Sequence, residues 1–220
     1  MNMFRKWRLN HLQRRYIRGL SFVCMNGTIA YYFALFGFKR IADILYAKRH
    51  LKRWGIHNDY QLHLRLKWLL EEGNRQKYNE VKHFLSVLSE TERSAYLQSI
   101  SNDKEKYVKA RIVNEYLRRF PEAGVIAYDY AIYLYLCQLG IASRYLDRKV
   151  TEKNMLVAAR LIQQTFIGWD EYFTAYIAGE RFEGLDDSCK VVQEKSHFLA
   201  QMYTKKSSPV HRIPWKLDLQ

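Results

Sequence analysis

Proline is nearly missing from this chain, at three residues in 220, and none precedes Pro121. Proline breaks helix interiors and punctuates loops, so its absence from the first 120 residues fits helices joined by short turns. The alternating apolar pattern of a sheet is also missing, and no internal repeat is visible. Cysteine is scarce: Cys24, Cys137 and Cys189 are odd in number, far apart and set in apolar or helical sequence. That excludes a disulfide framework and points to buried thiols in a reducing, cytoplasmic compartment. There is no Gly-rich phosphate loop, no Gly-x-Ser-x-Gly elbow and no His-Glu-x-x-His. Of the seven histidines, His57 and His63 lie six apart, off a common helical face, without a carboxylate at ligand spacing. No metal and no cofactor is expected. Acid is missing from one region in particular. Residues 1–53 hold 12 Lys and Arg against Asp43 alone, a net +11 out of +14 for the whole chain. A local field of that size attracts an acidic protein surface, nucleic acid or anionic lipid, without choosing among them.

What is present reads as one all-α domain of about eight to ten helices. Residues 1–18 form a basic N-terminal arm, 19–206 the helical body, and 207–220 an extended tail. Gly19 to Phe38 carries no charge and is long enough to span a bilayer. Ser21, Asn26, Gly27, Thr28 and two tyrosines lower its tendency to insert, so it is expected to be a buried helix or helical hairpin. Gly55 closes one helix, and Asn58 or Asp59 and then Asn74 cap the next two. Ser89 to Glu92 has capping-box form. Val125 to Leu139 is apolar nearly all round, ends at Gly140 and should be central. Thr151 opens a helix that turns at Gly168 and Trp169 into another, which ends at Gly179 as a C′ residue. Asp186 or Asp187 starts the last helix.

Five positions stand out as candidate binding residues. Asp129 lies inside the most apolar helix, where a carboxylate must be paired or be held partly protonated. Glu171, beside Asp170, opens a helix whose dipole favours acid. Arg181 follows the Gly179 corner, ready to bind an anion or to pair with Glu171 or Asp170. Trp54 and Trp169 each adjoin a glycine at a helix corner, as packing wedges or ligand platforms. The basic patch comprises Arg5, Lys6, Arg8, Arg14, Arg15 and Arg18, interleaved with Phe4, Trp7 and Tyr16.

Two blocks carry a family resemblance. One runs from Ile162 and Gln163 through Phe166, Trp169, Glu171, Tyr172 and Tyr176 to Gly179-Glu180-Arg181-Phe182. The other is Leu51-Lys52-Arg53-Trp54-Gly55-Ile56, followed by Leu69 to Gly73 and Arg75. Together they resemble the bacterial YbeU/YbeR-like proteins over roughly residues 20 to 183. That resemblance implies a helical bacterial protein and supplies no chemistry, since the family has no settled activity. The family's aromatic-Asp-x-x-Arg run is broken here, with Ile132 at the Arg position after Tyr128-Asp129. Asp129 therefore needs another partner, with Arg160 or Arg181 as candidates. Three readings follow. The first is a non-enzymatic interaction protein for an acidic partner, by analogy an immunity or antidote protein. The second is non-specific nucleic-acid binding through the basic arm. The third is a small hydrolytic toxin-like enzyme that gathers Asp129, Glu171 and Arg181 in a cleft.

Overall fold

The computed structural model describes residues 3–25, 27–38, 41–118, 124–184, 190–206, 208, 211 and 213–219. Among them are eleven α-helices and no strand. They are α1 (Met3–Ser21), α2 (Gly27–Phe36), α3 (Ile41–Arg53), α4 (Asp59–Glu71), α5 (Arg75–Ser86) and α6 (Glu90–Ser99), then α7 (Lys104–Tyr116), α8 (Ile126–Ser143), α9 (Arg148–Thr165), α10 (Trp169–Gly184) and α11 (Lys190–Thr204). Helix α8 has no polar stripe and is surrounded: α1, α3, α4, α9 and α10 all pack on it. Its burial is nearly complete from Ala127 to Leu139, as expected for a helix that is apolar all round. A second, smaller core joins α5, α7 and the end of α10 through Tyr78, Leu85, Val108, Ile112 and Phe182.

The uncharged segment after Arg18 forms a helical hairpin. The end of α1 passes through a 3-10 turn, Phe22–Cys24, into α2. No helix among the described residues is long and apolar enough to cross a membrane. Helix α1 runs unbroken through residues 18 and 19, and Tyr16 and Ile17 already belong to the main core. Residues 213–219 are non-helical and lie against the body. Trp215 stacks edge-on against Trp169 at 5.0 Å and donates its indole N–H to the Phe166 carbonyl.

Several helix ends differ from the sequence reading, each for a physical reason. Gly140 does not close α8, which runs a turn further to Ser143 and ends where Arg144 adopts φ 64°. A Cβ there would lie 2.5 Å from Leu146 Cδ1 and 2.7 Å from Leu62 Cδ2, so a larger residue would make both leucine side chains shift. Gly179 likewise sits inside α10, not at its end, where it lets α10 approach Tyr128 of α8. The N-cap of α9 is Asp147, whose side chain accepts from the Val150 N–H, while Thr151 is buried one turn later. The Ser89–Glu92 capping box and the Asn58 cap are present. Pro121 and the Asp186/Asp187 helix start lie outside the described residues.

Candidate functional site

Asp129 is fully buried, and neither expected arginine meets it. Its partners come from the turn between α4 and α5. Oδ1 accepts from the Asn74 backbone N–H (2.8 Å) and the Asn74 side-chain amide (2.9 Å). Oδ2 accepts from the Arg75 N–H (3.0 Å) and from Arg75 Nη1 (3.2 Å). The carboxylate thus caps α5 from another helix, which is why Asn74 makes no side-chain cap of its own. Arg75 also donates to the Leu69 and Leu70 carbonyls at the end of α4. One carboxylate and one guanidinium therefore clamp α4, α5 and α8 together. Burial pushes the Asp129 carboxyl up from its usual range, opposed by the Arg75 and Asn74 donors and the Arg75 charge. Gly73 makes the turn at φ 63°, and a Cβ on it would run into the Asp129 carboxylate.

The other candidates are placed apart. Arg181 Nη1 pairs with Glu115 of α7 at 2.9 Å and donates to the Tyr116 hydroxyl, its own side chain wholly enclosed. Glu171 accepts from the Ile167 N–H at the start of α10, a capping role. Ten residues of helix, about 15 Å, separate Glu171 from Arg181. Arg160 donates to the Leu219 carbonyl in the tail. Trp169 is a wedge between Tyr16, Phe173 and Trp215, with its indole N–H on the Ile213 carbonyl. Trp54 is half-buried, with the Arg65 guanidinium 6.0 Å from its ring. The structure does not gather Asp129, Glu171 and Arg181 into one cleft. Among the described residues no three or more His, Cys, Asp or Glu side chains form a metal-holding group.

A different cleft, of about 500 Å³, opens between α1 and α9 and is bounded by the end of α2 and by α8. Arg14 and Arg18 of the sequence-defined basic patch line it. The side chains of Arg5, Lys6 and Arg8 lie outside the described residues, and Arg15 is half-buried one position away. From the opposite wall come Arg148, Lys149, Glu152 and Lys153, which the sequence reading missed. Their i, i+4 spacing on α9 was the available signal, since it puts these charges along one side of a helix. Glu152 is bridged by Arg14 (3.0 Å) and Arg148 (3.5 Å). Lys149, Lys153 and Arg18 have no carboxylate partner among the described residues. Arg18 instead donates to the Ala34 and Leu35 carbonyls, capping α2. Burial, with Arg15 and Arg14 nearby, draws its guanidinium down to about 10. Arg148 and Lys149 also stand in the first turn of α9, where the helix dipole disfavours positive charge, offset in part by the Asp147 cap and by the pairing of Arg148 with Glu152. The floor is apolar: Ile17, Phe36, Phe38, Ile141, Met155 and Leu156.

A buried polar group lies on another side of α10. Lys195 Nζ donates to the Val23 carbonyl at 2.7 Å and sits 3.6 Å from Glu180, which fastens α11 to the α1–α2 turn. Cys137, in the middle of α8, has its thiol pushed up to about 12 by burial. At pH 8 it is therefore protonated and enclosed, the reverse of a reactive thiolate. In a variant with Cys24 and Cys189 replaced by Ser, the remaining thiol is expected to resist a disulfide reagent in the native state. It should react fully in denaturant.

The chain belongs to the family described as Protein of unknown function (DUF1266), which matches residues 51–215. The matched span begins at the end of α3 and runs to Trp215, so it supplies the α9 wall of the cleft, while the α1 wall and Phe36 lie outside it. No curated protein and no solved structure matches the chain.

Proposed function

We propose that this is a non-enzymatic helical binding protein that engages an acidic partner protein through the outer face of α9. The observation that carries this reading is an apolar ridge edged with lysine. Val150, Val157 and Leu161 are 59%, 48% and 41% exposed, at helical spacings of seven and four. The opposite face of α9, Met155, Ala158, Ala159 and Ile162, is spent on the core. Lys149 and Lys153 run along one side of the ridge, so an acidic surface with apolar anchors is its complement. Asp129, Glu171 and Arg181 are each consumed in helix capping or pairing, which argues against the hydrolytic reading. The resemblance of the two blocks to YbeU/YbeR-like proteins is kept as part of this reading, and the family match at residues 51–215 carries no such name. An immunity or antidote role, neutralising a partner by binding it, fits a helical body that shows no catalytic grouping among its described residues.

The test is capture of the tagged full-length protein from its host with nuclease present, alongside the Val157→Asp/Leu161→Asp variant. One stoichiometric protein should stay with the wild type and be lost, by tenfold or more, from the variant. Equal capture by both would sink the α9 reading. Material that disappears only with nuclease would move the interaction to the basic residues and nucleic acid phosphates.

A further inference from the structure

The cleft between α1 and α9 differs from the α9 ridge in shape and chemistry. Its volume falls in the roughly 300–1,000 Å³ range of small-ligand sites. Its lining is of two kinds. Arg18, Lys149 and Lys153 stand at the cleft without carboxylate partners among the described residues, and the lone acid, Glu152, is already shared by two arginines. The other kind is hydrocarbon: Ile17 from α1, Ile141 from α8, and Met155 and Leu156 from α9. The apolar lining does not stop at the cleft edge. Phe36 lines the cleft and is itself exposed, and its ring lies 5.2 Å from that of Tyr32 one turn back along α2. Ile29, also exposed, extends the same face by another turn. Gly37, at φ 65°, turns the chain beneath this strip, and its missing side chain leaves room for the Arg18 stem at 3.2 Å.

We infer that the cleft binds a single-chain anionic amphiphile. Its carboxylate or phosphate head meets Lys149, Lys153 and Arg18, and its acyl chain lies on the apolar floor and runs out along Phe36, Tyr32 and Ile29. An exposed apolar strip that leads directly into a site of uncompensated positive charge matches both ends of such a molecule. A bare anion would leave the floor wet, and a neutral lipid would leave the lysines unanswered. The inference shares Lys149 and Lys153 with the α9 partner reading but not its apolar ridge, since Val150, Val157 and Leu161 do not line the cleft.

The experiment titrates delipidated full-length protein with laurate, myristate and palmitate, and with the matching lysophosphatidates, all below their micelle concentrations. Saturable 1:1 binding is expected. Affinity should rise about fourfold for each added methylene until the cleft is filled. The methyl ester of each fatty acid should bind at least tenfold more weakly. Lys149→Glu/Lys153→Glu should weaken binding at least tenfold, and Phe36→Asp should flatten the chain-length dependence. All three positions are exposed, so these variants should keep the wild-type melting temperature. The Val157→Asp/Leu161→Asp variant should bind the amphiphile normally, which separates failure here from failure of the partner reading. Affinity that ignores chain length, or that glycerol phosphate matches, would overturn the proposal in favour of a bare phosphate site. Adhesion to anionic vesicles without binding of the monomers would overturn it in favour of a membrane-surface contact.

Discussion

Asp129→Ala is expected to cost about 3–5 kcal/mol of stability, the usual result of removing one partner from a buried ion pair. For a chain of this length that corresponds to a fall in melting temperature on the order of 10 °C. Four donors, the Asn74 side-chain amide among them, lose their acceptor at once. The Asn74 and Arg75 N–H groups, the first donors of α5, are left unsatisfied inside the protein, and the Arg75 guanidinium keeps only carbonyl partners. Asp129→Asn should fall between, since an amide oxygen still accepts but brings no charge and its NH₂ must face the Arg75 donors. Gly73→Ala attacks the same clamp from the other side, by a left-handed φ and by steric overlap with the carboxylate. Thermal and denaturant melts followed by circular dichroism measure all three. A loss below about 1 kcal/mol for Asp129→Ala would mean that the clamp is not structural. It would return the buried carboxylate to the roster of functional groups.

This residue also marks how far the sequence could be read. That Asp129 must find a partner follows from its place in an apolar helix, and it does find one. Which partner it finds depended on a turn 54 residues away, where Asn74 looked like an ordinary cap because its side chain suits that role in isolation. Helix existence was legible from apolar periodicity, and the central place of α8 from its lack of a polar face. The cleft was half legible. Arg14 and Arg18 were visible as basic sequence, but Arg148, Lys149 and Lys153 lie more than a hundred residues on, in a stretch whose local charge is unremarkable. Only the packing of α1 against α9 adds the two sets together. Glycines misled most, because a glycine that permits close helix contact and one that ends a helix look alike in sequence.

Gly179→Ala separates those two kinds of glycine. In a helix interior with free space the change gains about 0.5–1 kcal/mol. At a left-handed C′ position it costs a similar amount, and Asn would be tolerated there. Neither applies here. A Cβ at 179 would overlap Tyr128 Cβ and approach Val125 Cβ to 3.3 Å. Both atoms hang directly on the backbone at the start of α8, so no rotamer change relieves the overlap and α10 must move away from α8. Overpacking of that kind costs about 1–3 kcal/mol or more, which leaves a net loss of about 2 kcal/mol for Ala. Asn and Val, being larger, should cost more than Ala, which is the reverse of the order at a C′ glycine. Gly184, the last residue of α10, has nothing within 4 Å of its Cβ position among the described residues, so Gly184→Ala serves as the matched control and should change stability little. The displacement should also be felt at Arg181, two residues along α10, whose hold on Glu115 and Tyr116 ties α10 to α7. If Gly179→Ala instead raised the melting temperature, the close approach of α8 and α10 at the centre of this fold would be wrong.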